Sequence, residues 1–385
     1  MIRSRRHASA SCRGGFALPA AIIALVLLSA LVAGALFIAT EELRAGGTEV
    51  AGQRALAAAE WGLDRAIVAW DTRRNVALAV GATATIEDMT LPTGERVEIT
   101  ATRVQRDAFW VTARASVFGD GRGVPARHTV AASLRLLGPE FPREAALAAA
   151  GLVTVVDAGT VDGRDVAPAE WGARMCADAP ETIAGVAVRD SALACGVTCS
   201  GTAPAGITGT PPMRVTPDAA SDSASFGDMT REALTRRATV VLDGGALAPR
   251  PSTVGTECDR TDPLNWGDPL TAGACADHVP VIRVRGSATL AAGSTGQGVL
   301  LVDGDLRVDA GARFAGVVLA AGDIEVTGPG AEIVGLARAG DADAAAGSRV
   351  AAGGAIRFAS CAVRRAALGA SRVARTPGRW WAELR

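Results

Sequence analysis

Residues 16–38 form an almost unbroken apolar run, and no charged residue stands between Gly14 and Thr40. At about 1.5 Å per residue this run covers about 35 Å as a helix, more than a bilayer core of ~30 Å, so the pattern predicts a membrane-spanning helix. Glu41, Glu42 and Arg44 end it. Residues 53–70 are rich in helix formers, and Leu56, Leu63, Ile67 and Trp70 recur at spacings of seven, four and three, giving one apolar stripe. Gly46, Gly47 and Gly52 lie between the two segments, and each costs up to about 1 kcal/mol relative to Ala in a helix. A bend or melted stretch is expected there. Alternation then takes over at 97–104, 109–117 and 127–136, with turns at 105–108 and 119–123, which predicts a three-stranded antiparallel sheet.

Pro139-Glu140-Phe141-Pro142 marks the next boundary. Residues 143–280 are rich in Ala, Gly and Pro, with short β-like runs at 152–156 and 238–242, loops at 211–212 and 221–225, and a short helix expected over 228–237. Further on, Gly286, Gly304, Gly322 and Gly340 recur every 18 residues, as do Gly298 with Gly316 and Gly335 with Gly353. Ile282, Leu300, Val318 and Leu336 keep the same register, and so do Leu290, Val308 and Val326. That period is close to one coil of a β-solenoid, in which glycines turn the corners and each rung buries its apolar side only against its neighbours. The weak repeat at 341–350 reads as a capping rung. The Arg-rich end from Arg364, closing on Trp380-Trp381, reads as a solvated tail with its Trp residues packed back on the domain. The expected chain is α+β: a long helix over 16–75, an antiparallel sheet over 76–138, an irregular β-rich region over 139–280, a short solenoid over 281–360 and a basic tail over 361–385.

Composition removes chemistry from this picture. The 385 residues carry 39 Lys+Arg against 40 Asp+Glu, and every one of those cations is Arg. Without Lys there is no phosphate-loop lysine, Schiff base or Ser-Lys pair. His7, His128 and His278 are too scattered for a zinc enzyme or a His-centred triad. Balanced charge argues against nucleic acid as a partner. Asp303, Asp305, Asp309 and Asp323 could form a calcium site or a glycosidase-like carboxylate pair, but corner Asp residues bonding their own turns is the preferred reading. No catalytic residue, metal ligand or cofactor is therefore expected, and the chain reads as a non-enzyme.

The N-terminal junction is more specific. Arg3, Arg5, Arg6 and Arg13 precede the apolar run, which by the positive-inside rule leaves them in the cytoplasm and the remainder outside the inner membrane. A secretory signal would have a shorter apolar region, and Cys12 precedes the run instead of following it, unlike a lipoprotein signal. Arg13-Gly14-Gly15-Phe16-Ala17-Leu18 resembles the class III leader of type IV prepilins and type II secretion pseudopilins. The resemblance implies a leader over 1–15, cleavage between Gly15 and Phe16 by a prepilin peptidase, and N-methylation of Phe16. Residues 55–63, Ala-Leu-Ala-Ala-Ala-Glu-Trp-Gly-Leu, resemble the corresponding stretch of PilX-type minor pilins. Major pilins usually carry Glu at mature position five, which is Ala20 here, a departure shared with PilX-type minor pilins and the K-type pseudopilin. What this implies is a structural subunit that primes, caps or joins a type IV pilus-like fibre and presents an adhesive head to a surface ligand or receptor. Its partners would be the peptidase, other pilins or pseudopilins, the assembly platform and the inner membrane itself.

Two other assignments compete with it. A K-type pseudopilin would carry a large helical insert, which is not read here. A membrane-anchored β-helix enzyme acting on polysaccharide would need a longer solenoid than 281–360 supplies. Removal of the leader takes Cys12 with it and leaves Cys176, Cys195, Cys199, Cys258, Cys275 and Cys361, an even number suited to an oxidising periplasm. Cys195 with Cys199 and Cys258 with Cys275 are the local pairs, leaving Cys176 with Cys361, one of about fifteen connectivities. A metal site is disfavoured because Cys195 and Cys199 have no second close pair.

Overall fold

The structure, a computed structural model, describes residues 17–117, 126–167, 181–195, 204–220, 225–271, 273–342, 347–376 and 382–384. Helix α1 runs without interruption from Ala17 to Val68, 52 residues. The bend expected at Gly46, Gly47 and Gly52 is absent. Their cost of about 1 kcal/mol each is insufficient to break a hydrogen-bonded ladder that propagates from both sides. Large apolar side chains of the first half, from Leu18 to Val50, are exposed. Among the described residues, α1 is the one helix long and apolar enough to cross a membrane.

The second half of α1 lies on a sheet. Ala55, Ala58, Ala59, Leu63 and Ala66 are buried, and Leu56, Ile67 and Trp70 pack at the margin of the same core. Small residues on this face let the helix approach closely, so the buried stripe is mostly Ala rather than the larger residues that mark it in the sequence. The sheet has the order β1 (Thr83–Thr90), β2 (Arg96–Arg103), β3 (Ala108–Val117) and β4 (Ala126–Leu137), all antiparallel. Strand β1 was not expected: a bulge between Thr85 and Glu87 and the adjacent charges of Glu87 and Asp88 break its alternation. Val97, Ile99, Phe109, Val111, Val130 and Leu134 supply the core, with Trp70 edge-on to Phe109 at 5.0 Å. The short helix α2 (Thr72–Val76), capped by Asp71, joins α1 to β1.

The remaining body is a parallel stack inserted into this sheet. The chain leaves at Leu137 and returns as the strand Arg372–Arg375, whose Arg372 pairs with Leu137; Ala382–Leu384 then pairs with β4 at Ala131–Thr129. The basic end is therefore not a solvated tail. It completes the sheet by covering the free edge of β4. The short helix expected over 228–237 is present as Arg231–Thr235.

Within the stack, Ile282, Leu300 and Val318 lie in register, as do Leu290, Val308 and Val326. At the next rung the register moves by one: Val318 meets Ala337, and Leu336 meets Val317. The cause is one extra residue in the turn at 328–331, so that Gly335 rather than residue 334 stacks on Gly316. Gly298, Gly316 and Gly335 form a column at φ +117°, +141° and +139°, and a Cβ on Gly316 would lie 2.0 Å from the Gly298 carbonyl oxygen.

The stack is larger than 281–360. The strand Glu332–Ala339 pairs with both Ala355–Arg357 and Ala145–Ala149, and Gly347–Ala351 pairs with Leu152–Val155. Thr160–Asp162, Ala184–Val188 and Ala194–Cys195 add the next layer, followed by Ile207–Thr208 and Met213–Val215. The rung at 341–350 is thus mid-stack and not a cap, and much of the region expected to be irregular belongs to one sheet of 16 strands. Ala145–Ala149 and Ala184–Val188 are buried at every position, so neither alternation nor a long repeat marks them in the sequence. At the opposite end the outermost strand, Val240–Leu247, pairs with Val281–Leu290 alone. The C-terminal helix Ser360–Gly369 packs Cys361 and Ala362 against Ala315 and Val334 on the side of the stack.

Candidate functional site

Among the described residues, the first half of α1 is a long apolar surface that packs on no other element. Leu25, Leu31, Phe37 and Leu43 are between 67% and 76% exposed, which in water is a large unfavourable apolar area. Only lipid or the apolar helices of other chains satisfy such a face. Gly15 and Phe16, the residues of the leader junction, lie outside the described residues.

The second half of α1 is tied to the sheet by charge as well as packing. Arg65 pairs with Glu87 of β1 at 2.9 Å, Arg54 with the nearly buried Glu95 at 2.6 Å, and Asp64 with Arg375 of the returning strand. The Thr93 side chain, ahead of Arg54, holds the Glu95 carboxyl below its ordinary range against the effect of burial. Sequence reading missed these pairs because their partners are 22, 41 and 311 positions apart.

The Asp residues of the solenoid turns bond to the backbone, to Ser and to Arg. Asp305 Oδ1 accepts from the Asp323 backbone N–H at 2.9 Å, and the Asp305 N–H donates to Ser287 Oγ at 3.0 Å. Ser348 Oγ donates to Asp323 Oδ1 at 3.3 Å. These carboxylates bond between rungs, which corrects the expectation that they bond within their own turns. Asp303 pairs with Arg283 at 2.7 Å and Asp309 with Arg307 at 2.8 Å. No group of three or more His, Cys, Asp or Glu suited to a metal occurs among the described residues.

A groove of about 480 Å³ runs along one side of the stack, past Arg313, Glu332 and Arg357. Glu332 is clamped by Arg313 at 2.9 Å and by Arg357 at 3.4 Å, so the groove offers one neutralised carboxylate where glycoside hydrolysis needs two. His128 lies beside α1, its Nε2 3.5 Å from where a Cβ on Gly52 would stand. His278 is half-buried with Nε2 3.1 Å from the Asn265 carbonyl oxygen, and burial, aided by the Arg260 charge, pushes its pKa below the ordinary value.

Cys258 and Cys275 form a disulfide. Cys195 and Cys361 are each engaged in a disulfide as well. Cys176 and Cys199 lie outside the described residues, so the two other expected pairings lie there as well.

No family model and no curated protein matches the chain. Among solved structures it is similar to the competence-associated pilin ComZ from Thermus thermophilus, with 12% identity over 87% of this chain and 97% of that one, at a TM-score of 0.26. A likeness at that score carries no argument.

Proposed function

We propose that this chain is a minor pilin-like subunit of a type IV pilus or related fibre, of the PilX type, with no catalytic activity. The observation that carries the reading is the division of α1. One continuous helix of 52 residues presents an apolar, fully exposed first half, then buries Ala55, Ala59, Gly62 and Leu63 against an antiparallel sheet. That is the order of parts a pilin uses to store its helix in the membrane and later pack it among other subunits. The sequence Gly15-Phe16 supplies the matching processing site, and Ala20, in place of the usual Glu, favours a priming, capping or joining role over that of a major subunit.

On this reading the protein waits in the inner membrane with its N-terminus cytoplasmic and its head in the periplasm, where disulfides form. Prepilin peptidase removes residues 1–15, and Phe16 is methylated. Other pilins and the assembly platform are its partners, and the parallel stack is the part displayed to an outside ligand. A K-type pseudopilin of type II secretion is the nearest alternative, and it too would carry an insert in its head. Among the described residues the insert here is a parallel β stack with only short helices, which favours the minor pilin.

Co-expression with a prepilin peptidase tests the reading. Intact-mass and N-terminal sequencing should give a mature chain beginning at a methylated Phe16. An unprocessed chain, or cleavage beyond residue 30, would remove the assignment.

A further inference from the structure

The two bodies of the head have separate apolar cores. One lies between α1 and the sheet, the other inside the stack. Where the chain crosses between them, at 138–144 and 369–371, the bodies are parted by a cleft of about 750 Å³ lined by Arg103, Arg135, Phe141, Arg143 and Ser371. Across this cleft Arg135 of the sheet pairs with Asp228 of the stack body at 3.5 Å.

A loop far away in sequence makes a second connection. Residues 248–279 project from the outermost strand, and the Cys258–Cys275 disulfide closes them. Asn265, fully buried, sits inside the closed loop: its Nδ2 donates to the Ser252 and Asp259 carbonyls at 2.9 and 2.7 Å, and its Oδ1 accepts from Gly267 N–H at 3.1 Å. Next to it the buried Trp266 stacks edge-on against Phe314 of the stack. Gln297 of the stack donates to the Ala276 and His278 carbonyls at 2.7 and 2.9 Å. From this platform Asp277 reaches outward to pair with Arg73 of α2, while the Ala276 carbonyl accepts from Arg365 of the C-terminal helix packed on the stack.

We propose that this loop is a redox-dependent clamp: with the Cys258–Cys275 bond closed, residues 275–277 hold the stack against the stem through Arg73, and opening the bond releases that hold. Cys275 is buried, whereas Cys258 is half-buried at the edge of an exposed hairpin, so Cys258 is the sulfur a reductant reaches. A dithiol supplies the electrons. Its thiolate attacks Cys258 Sγ to form a mixed disulfide and expels Cys275 as a thiolate, which takes a proton. The second thiol then displaces Cys258, which is protonated in turn, and leaves the reductant as its own disulfide. The partner in this exchange would belong to the dithiol–disulfide class.

Hydrogen exchange on the full chain in detergent micelles tests the clamp. Replacing Cys258 and Cys275 together by Ser should speed exchange about tenfold in 72–76 as well as in 248–279, while 295–302 and 313–320 stay protected. Acceleration confined to 248–279 overturns the proposal, since the bond would then close only its own loop. Acceleration throughout 295–320 overturns it too, since the bond would then support the stack itself. Arg73→Ala with the disulfide intact should speed exchange in 72–76 and leave 248–264 unchanged. No change in 72–76 would remove Asp277 as the link.

Discussion

Gly62 of α1 stands directly over Val97 of β2: a Cβ at position 62 would fall 2.6 Å from Val97 Cγ1 and 3.5 Å from the Cβ of Ala113. The helix rides this close because Ala58, Ala59 and Ala66 flank the contact, and nothing larger would fit between the α1 backbone and the strands. Helix propensity favours Ala over Gly at this site, but the contact reverses the preference. Gly62→Ala is therefore expected to destabilise the sheet body by about 1–3 kcal/mol, the range for overpacking, despite its gain in helix propensity. Thermal unfolding in detergent would register it, and a rise in midpoint would contradict the packing argument.

The glycines of the stack differ in what they are needed for. Gly286 has φ +81° with open space where a side chain would go, whereas Gly316 has φ +141° and the Gly298 carbonyl oxygen 2.0 Å from its would-be Cβ. Gly286→Ala should cost about 1 kcal/mol of backbone strain and leave a folded stack. Gly316→Ala should prevent neighbouring rungs from closing. Limited proteolysis separates the two, with cleavage inside 281–357 expected for Gly316→Ala only.

His278 makes the clamp loop sensitive to acid. Its folded pKa lies below the ordinary value near 6.5, so the unfolded chain binds the proton first. Its contribution to stability is complete above about pH 6.5 and declines as pH falls from there toward the folded value. Arg260 adds to the burial effect. Unfolding midpoints measured between about pH 5 and 8 should slope downward on the acid side. In His278→Gln that slope should flatten, and an unchanged slope would assign it elsewhere.

Removal of residues 372–385 should expose the edge of β4 from Thr129 to Leu137. That strand would then carry unpaired N–H and C=O groups along most of its length, a template for pairing with a second chain. Sedimentation of the truncated head should reveal association absent from the full chain. A monomeric truncation would indicate that the returning strands are dispensable for protecting the edge.

The sequence pattern located α1, β2, β3 and β4, because a long apolar run and strict alternation depend only on neighbours. It also located the stack between 281 and 327, where the rungs keep an 18-residue period. Beyond that point the period fails: one residue is added before Gly335, and the layers that follow come from 145–215, earlier in the chain. A periodicity search sees succession along the chain, whereas stacking requires only that backbones fit in space.

The same division runs through the charged residues. Composition by itself determined that Arg supplies every positive charge, which excludes lysine chemistry, and that seven Cys accompany only three His. Which carboxylate each Arg meets was decided by tertiary structure. Arg375 reaches Asp64, Arg73 reaches Asp277 and Arg338 reaches Glu144 across separations that no local pattern encodes. An apolar helix and an alternating strand are specified by the water they avoid, which acts on every residue wherever it lies. An ion pair, a returning strand or an extra layer is specified by a partner, and only the folded chain brings the partner near.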